Sequence, residues 1–176
     1  MQHDNEMVAL LIRDIPDFPR PGILFRDITT VLKDAKAWRV TVDWMCAQVA
    51  DLGADTIIGI ESRGFIMGSA MAYELDLGFV PVRKAGKLPY DVHSAEYELE
   101  YGTDALEIHT DALTGAEKVI IVDDLLATGG TAAAAVDLVE KCQGQVLAMT
   151  FLIELLTLNG REKLPAGVPI MAMVSY

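Results

Sequence analysis

The run Val119-Ile120-Ile121-Val122-Asp123-Asp124-Leu125-Leu126-Ala127-Thr128-Gly129-Gly130-Thr131 brings three chemistries together in one stretch. An apolar strand is expected to end at two carboxylates, pass through a turn of small residues and open a helix at Thr131. Gly129 and Gly130 let the backbone curl so that successive amides point inward, and Thr128 and Thr131 add hydroxyl donors. The helix start contributes unsatisfied N–H groups and the positive end of its dipole. Ala127 to Thr131 therefore reads as a phosphate cradle that needs no lysine. Asp123 and Asp124 would repel a phosphate, so they must face another part of the same ligand. Ribose hydroxyls donate to carboxylates and a hydrated Mg²⁺ is attracted by them. A ligand with a phosphate at one end and a diol beside it is a ribose 5-phosphate. A helix cap alone would explain one polar residue here but not this order of residues. Neither G-x-x-x-x-G-K-[ST] nor a G-x-G-x-x-G after a strand occurs, which sets aside ATPase and dinucleotide readings.

Other segments carry weaker signals. Glu61-Ser62-Arg63-Gly64 follows an apolar run and opens a helix, so it is a second turn able to hold an anion, or simply a helix cap with Arg63 in a surface pair. Arg83, Lys84 and Lys87 cluster within five positions of a chain that has only 14 basic residues. They form either a solvated basic face or a local patch that recruits a multiply charged anion. Phe25 in an apolar run reads as core. Glu100 falls with Glu96 and Glu98 on the polar side of an alternating segment. Cys46 and Cys142 read as small buried hydrophobes, and His3, His93 and His109 make no metal constellation.

The elements that must position these groups follow from the apolar pattern. Met7 to Arg13 reads as a short helix before Pro16, Pro19 and Pro21, Ile23 to Ile28 as an extended piece, and Ala37 to Leu52 as a helix stopped by Gly53. Thr56–Ile60, Phe79–Arg83, Lys118–Val122, Gln145–Ile153 and Pro169–Val174 read as strands, with helices at Gly64–Leu75 and Thr131–Lys141. Two β-α-β units with buried strands imply an α/β fold, a mostly parallel twisted sheet flanked by helices on both faces. Period-2 alternation on either side of Gly102 predicts a β-hairpin that projects from the sheet, placed to act as a lid. The stretch after Leu158 carries no recognisable chemistry and is expected to complete the sheet.

The length of 176 residues suits a single domain. A hydrophobic fraction of 52% against 23% charged residues excludes intrinsic disorder. The 26 acidic and 14 basic residues leave a net charge of -12, which disfavours a nucleic-acid partner. The polar, acidic N-terminus does not read as a signal peptide, and the apolar stretch Val146 to Ile153 is far shorter than the ~20 residues of a membrane span. A soluble, cytoplasmic protein without a membrane partner is expected.

The acidic-to-small-residue run resembles the phosphoribosyl-pyrophosphate motif of the type I phosphoribosyltransferases. The resemblance extends from about Ile15 to Leu164. It also rests on Phe18-Pro19-x-Pro21-Gly22-Ile23-x-Phe25-Arg26-Asp27-Ile28, Gly59-Ile60-Glu61-Ser62-Arg63-Gly64-Phe65, Arg83-Lys84-x-Gly86-Lys87-Leu88-Pro89 and Leu99-Glu100-Tyr101-Gly102. Within the family the chain is similar to the purine enzymes that act on adenine. The resemblance implies one phosphoribosyltransferase domain over residues 1–176, with a small N-terminal hood at 1–35 and a lid hairpin at 84–109. It implies Mg²⁺-dependent transfer of the ribose 5-phosphate unit of phosphoribosyl pyrophosphate to adenine, giving AMP and pyrophosphate. Asp123 and Asp124 would then hold the ribose hydroxyls, and Ala127, Thr128, Gly129, Gly130 and Thr131 the 5-phosphate. Glu61, Ser62, Arg63 and Gly64 would form the pyrophosphate loop, which in such enzymes often contains a non-proline cis peptide. Arg83, Lys84 and Lys87 would also serve pyrophosphate, partly across a homodimer interface, with Arg63 and Lys87 assisting catalysis. Phe25 would stack on the purine, opposed by Leu125, while backbone groups around Leu24 and Arg26 read its edge. Glu100 would manage a purine proton and Tyr101 help order the closed site. No direct protein ligand to the metal is expected, Mg²⁺ being held through substrate and water. A phosphoribosyltransferase for a 6-oxopurine and a non-catalytic phosphoribosyl-pyrophosphate-sensing regulator remain as alternatives.

Overall fold

The computed structural model describes residues 2–98 and 103–176. The chain divides into two compact units, Met1–Trp44 and Met45–Tyr176.

The first unit begins with α1 (Gln2–Leu11), earlier than the sequence pattern indicates. Arg13 is not in the helix, because β1 (Arg13–Pro16) pairs antiparallel with β2 (Leu24–Asp27), Arg13 opposite Asp27 and Pro16 opposite Leu24. The proline-rich connection closes on itself. The Gly22 N–H donates to Asp17 Oδ1 at 2.7 Å, and the Phe18 ring meets the Phe25 ring edge-on at 5.1 Å. Salt bridges Arg13–Asp27 and Arg26–Asp14 cross the two strands. α2 (Thr29–Lys33) follows, and α3 (Ala35–Val49) leads into the second unit. A 3-10 turn at Ala50–Leu52 ends at Gly53, whose φ of 69° is the left-handed stop that the glycine provides.

The second unit is built on a seven-stranded sheet of β3 (Thr56–Ile60), β4 (Gly78–Lys84), β5 (Val92–Glu98), β6 (Thr103–His109), β7 (Lys118–Leu126), β8 (Gln145–Glu154) and β9 (Ile170–Ser175). The order across the sheet is β5-β6-β4-β3-β7-β8-β9. The five strands from β4 to β9 in that order are parallel, whereas β6 runs antiparallel to both β4 and β5. All five residues of β3 are buried, as its unbroken apolar run requires of a central strand. Strand alternation separates the two faces. Ile57 and Phe79 border Gly68 of α4 (Arg63–Leu75). Ile58, Ile60, Val82 and Ile121 instead share a core with Ala132, Ala135, Val136 and Val139 of α5 (Gly130–Lys141). The two helices thus cover opposite faces, the arrangement the β-α-β pattern predicts.

Two details differ from the sequence reading. β7 does not end at the carboxylates. It continues to Leu126, pairing Leu125 with Ile153 and Leu126 with Glu154, because β8 offers a partner over that whole length. The β5–β6 hairpin is not a separate projection either: Arg83 and Lys84 pair with Glu107 and Leu106, so the hairpin forms the sheet's edge. Thr103 and Asp104, expected with Gly102 to make the turn, instead open β6, because they pair with Glu98 and Tyr97; residues 99–102 lie outside the described residues.

Asp27 shows how the first unit is tied. Its carboxylate accepts from Arg13 Nε at 3.1 Å, from the Thr29 N–H at 2.9 Å and from the Thr29 hydroxyl at 2.8 Å. The Arg13 guanidinium foremost, then the Thr29 N–H, hold its pKa down at about 2 against an ordinary 3.8. A depressed carboxyl stabilises the fold above its unfolded pKa and loses that contribution as the folded form titrates. Melting temperature followed from pH 5 to about pH 2 should therefore fall over the lower part of this range, and Asp27→Asn should flatten that slope. A variant with the wild-type slope would mean that Asp27 carries no such linkage.

Candidate active site

The site is made just beyond β3 and along the last residues of β7. They are adjacent and parallel, with Gly59 opposite Val122, so the residues following each strand emerge side by side at the carboxyl edge. Gly64, in the first turn of α4, lies directly against β7. A Cβ there would stand 2.6 Å from the Val122 carbonyl oxygen and 3.0 Å from Asp123 Oδ1, so only glycine permits this approach. The preceding Glu61–Ser62 peptide is cis. Arg63 Nε stands 3.1 Å from Asp124 Oδ2.

Asp123 and Asp124 are consecutive, and the Asp124 N–H donates to Asp123 Oδ1 at 2.9 Å. Asp124 is only 4% exposed, and its Oδ2, although ion-paired with Arg63, accepts no well-formed hydrogen bond. Burial pushes both carboxyls above the usual range. For Asp123 the charge of Asp124 adds to the rise, whereas Arg63 opposes it at Asp124. The pair is therefore a concentration of negative charge that a ligand with hydroxyl donors or a cation would relieve.

Opposite stands the basic segment, held by acidic residues. Glu61 accepts from Arg83 Nε at 3.2 Å, from Lys87 Nζ at 3.1 Å and from the Lys84 N–H at 3.1 Å, and Arg83 Nη1 donates to the Lys87 carbonyl at 3.1 Å. Burial works against ionisation of Glu61, but these donors outweigh it and bring its pKa below the ordinary value. Lys84 Nζ lies 3.1 Å from Asp104 Oδ2, which also accepts from the Tyr97 hydroxyl at 3.2 Å. Burial, then the Asp104 charge, pushes the Tyr97 phenol up to about 12.

The third wall is the turn into α5. Gly129 has φ +80°, a conformation open to glycine, and its carbonyl accepts the Ala133 N–H at 2.9 Å to start the helix. The helix's leading N–H groups, which lack intrahelical acceptors, point out of this end.

These three walls enclose one cleft of about 540 Å³, a volume suited to a small ligand. Of the residues singled out in the sequence, Glu61, Ser62, Arg63, Lys84 and Lys87 line it from one side. Asp123, Asp124, Leu125 and Ala127 to Thr131 line it from the other. Arg83 is attached to it through Glu61, and Gly64 through its packing on β7. Leu24, Phe25 and Arg26 belong to β2 of the first unit. Glu100 and Tyr101 lie outside the described residues. Tyr97 also lines the cleft, and sequence reasoning missed it. Its only signal was a place on the hairpin face shared with Ala95.

An acidic pair near the end of a parallel strand, a turn of small residues after that strand and a basic wall opposite are the features of the phosphoribosyl-transfer class. The phosphoribosyl transferase domain model matches residues 30–163, and the chain belongs to that family. It is 59% identical over 166 residues to the adenine phosphoribosyltransferase of a Synechococcus strain, covering 94% of this chain and 96% of the relative. The crystal structure of adenine phosphoribosyltransferase from Rhodothermus marinus matches it with a TM-score of 0.96 at 46% identity, over 100% of both chains. The Saccharomyces cerevisiae enzyme, solved in complex with an iminoaltritol bisphosphate and adenine, matches with a TM-score of 0.92 at 40% identity, covering 98% of this chain and 99% of that one.

The raised Asp123 carboxyl has a stability consequence. A carboxyl whose folded pKa is above its unfolded value destabilises the fold once ionised, so stability falls as pH rises from the ordinary value through the raised one. Asp123→Asn keeps the oxygen that accepts the Asp124 N–H but removes the charge. It should raise Tm at pH 7 while cutting turnover severely. A lower Tm in scanning calorimetry would contradict the repulsion described here.

Proposed function

We propose that this chain transfers the ribose 5-phosphate unit of phosphoribosyl pyrophosphate to adenine, giving AMP and pyrophosphate. The observation that carries the reading is the acidic pair between two anion-suited walls. A ligand with phosphate at both ends and a diol between them matches that sequence of charges. The named activity of the relatives supports adenine as the acceptor.

Asp123 and Asp124 accept from the ribose hydroxyls, and the Ala127 to Thr131 turn holds the 5-phosphate with backbone amides and the Thr128 and Thr131 hydroxyls. The bond from C1 to the pyrophosphate oxygen breaks with its electron pair leaving on pyrophosphate. The ribose gains oxocarbenium character, and a ring nitrogen of the base supplies a new pair to C1 and then loses its proton. Arg63, Lys84 and Lys87 face the leaving group and stabilise its growing charge, the kind of electrostatic help that dominates many such reactions. Glu61 serves differently from the pyrophosphate ligand that resemblance suggested. Its carboxylate is occupied by Arg83 and Lys87 and would itself repel pyrophosphate, so it sets those cations in place.

The adjacent carboxylates, each with a raised proton affinity, suit a divalent cation reached through water. When bound with the diphosphate, Mg²⁺ supplies charge neutralisation to the leaving group. Glu100 and Tyr101 keep the roles implied by resemblance, proton handling and ordering of a closed site, and Phe25 that of stacking on the base. A homodimer acting in the cytoplasm completes the reading; no helix among the described residues is long and apolar enough to cross a membrane.

Purified protein should be mixed with Mg²⁺, phosphoribosyl pyrophosphate and, separately, adenine, hypoxanthine, guanine or xanthine. Product is expected with adenine alone and should be lost when the metal is chelated. Turnover of an oxopurine would keep the ribosyl half of the reading and discard the base half. Tight donor binding without product from any base would replace it with a sensing role.

A further inference from the structure

The stretch after β8, expected only to complete the sheet, touches the phosphate turn. We infer that Gly160, with the Glu154–Arg161 pair that fixes it, is the positioning element of the Ala127 to Thr131 turn. This rests on the reading of that turn as the 5-phosphate site.

Gly160 is buried. A Cβ on it would stand 2.3 Å from the Ala127 carbonyl oxygen and 3.0 Å from the Gly129 nitrogen, while one on Gly129 would stand 2.2 Å from the Gly160 carbonyl oxygen. Two backbones thus meet with no side chain between them. Ala127, Gly129 and Gly130 have no polar side-chain atom, and the Thr131 hydroxyl, toward Tyr97, ties the turn only at its far end, so the surface under Ala127 and Gly129 sets where their amides point.

That surface is firmly anchored. Arg161 grips the buried Glu154 carboxylate with both Nε and Nη2 at 2.6 Å, a two-pronged pairing that fixes orientation as well as distance. Arg161 Nη1 also donates to the Ile170 carbonyl at 3.0 Å. The Leu155 N–H donates to the Leu126 carbonyl at 2.9 Å, the last residue of β7, and the Leu156 N–H to the Tyr176 carbonyl at 2.8 Å. The support is therefore tied to β7, β8 and the chain beyond β9, while the phosphate turn lies across it.

Gly160 does not have a positive φ, so alanine there is conformationally acceptable and adds only the clash with the turn. Gly160→Ala should raise the Kd for ribose 5-phosphate in calorimetry, and the KM for phosphoribosyl pyrophosphate, by about tenfold or more, because small displacements of binding groups are costly. Pyrophosphate affinity and the KM for adenine should stay within about twofold, a split that general loosening of the fold would not produce. Arg161→Gln adds no atom near the turn and should give the same split more weakly, with Arg161→Lys recovering part of it. It decides the matter if Gly160→Ala does not fold. Unchanged ribose 5-phosphate binding in folded Gly160→Ala, or failing that in Arg161→Gln, overturns the inference. Thr131→Ala separates the two levels. If it weakens ribose 5-phosphate binding and Gly160→Ala does not, only the support fails. If neither does, the phosphate reading of the turn fails with it.

Discussion

Two adjacent carboxylates, Asp124 buried and Asp123 half-buried, sit together in the cleft, and the repulsion between them organises the rest of it. Asp123 and Asp124 cannot move apart, because both belong to a strand paired along its length with β8. Their charge must be met from outside the strand. Arg63 meets part of it, and it can do so only because Gly64 allows α4 to begin against Val122 and Asp123. A packing constraint on one glycine thus fixes an electrostatic one. Burial foremost, and for Asp123 the Asp124 charge after it, still leave both carboxyl pKa values raised, a local cost of the kind folded proteins keep at functional sites.

The cations of the cleft are in the opposite condition. Lys84 is paired with Asp104, and Lys87 and Arg83 share Glu61. On the basic side these pairs are substantially exposed, Lys84 at 52% and Lys87 at 50%. Exposed pairs of this kind contribute about 0–1 kcal/mol, so a multiply charged anion can take a lysine from its partner at little cost. The carboxylates Glu61 and Asp104 therefore hold the basic segment in place without binding it tightly. The arrangement also answers the net charge of -12. Beyond about 8 Å that field is screened at physiological salt, and an approaching anion meets mainly the local lysines and arginines.

The sequence made legible whatever depended on neighbouring residues. The buried strands, both helices of the second unit and the glycine-rich turn follow from apolar periodicity and breakers, and the carboxylate pair from its place between them. Details that depend on distant partners were hidden. Nothing around Leu125 shows that β8 would carry β7 past the carboxylates, and nothing around Arg83 shows that β6 would join β4 and draw the hairpin into the sheet. Glu61 was counted among the anion ligands because it stands in the anion loop; only folding brings it to Lys87, 26 residues away. Nothing around Tyr97 shows that its hydroxyl would reach Asp104, across the hairpin.

The phosphate turn carries this distinction furthest. Its residue types announce an anion site, since small residues and a helix start expose amides and little else. The same smallness leaves the turn little beyond the Thr131 hydroxyl, toward Tyr97, to fix its own shape, and a cradle for an anion must be set in advance if binding is not to be spent on ordering it. A loop made largely of glycine and alanine takes most of its rigidity from elsewhere. Here it comes from a backbone more than 30 residues further on, locked by one arginine on one buried glutamate. Local composition leaves the amides of the turn uncovered, and a distant contact decides where they lie.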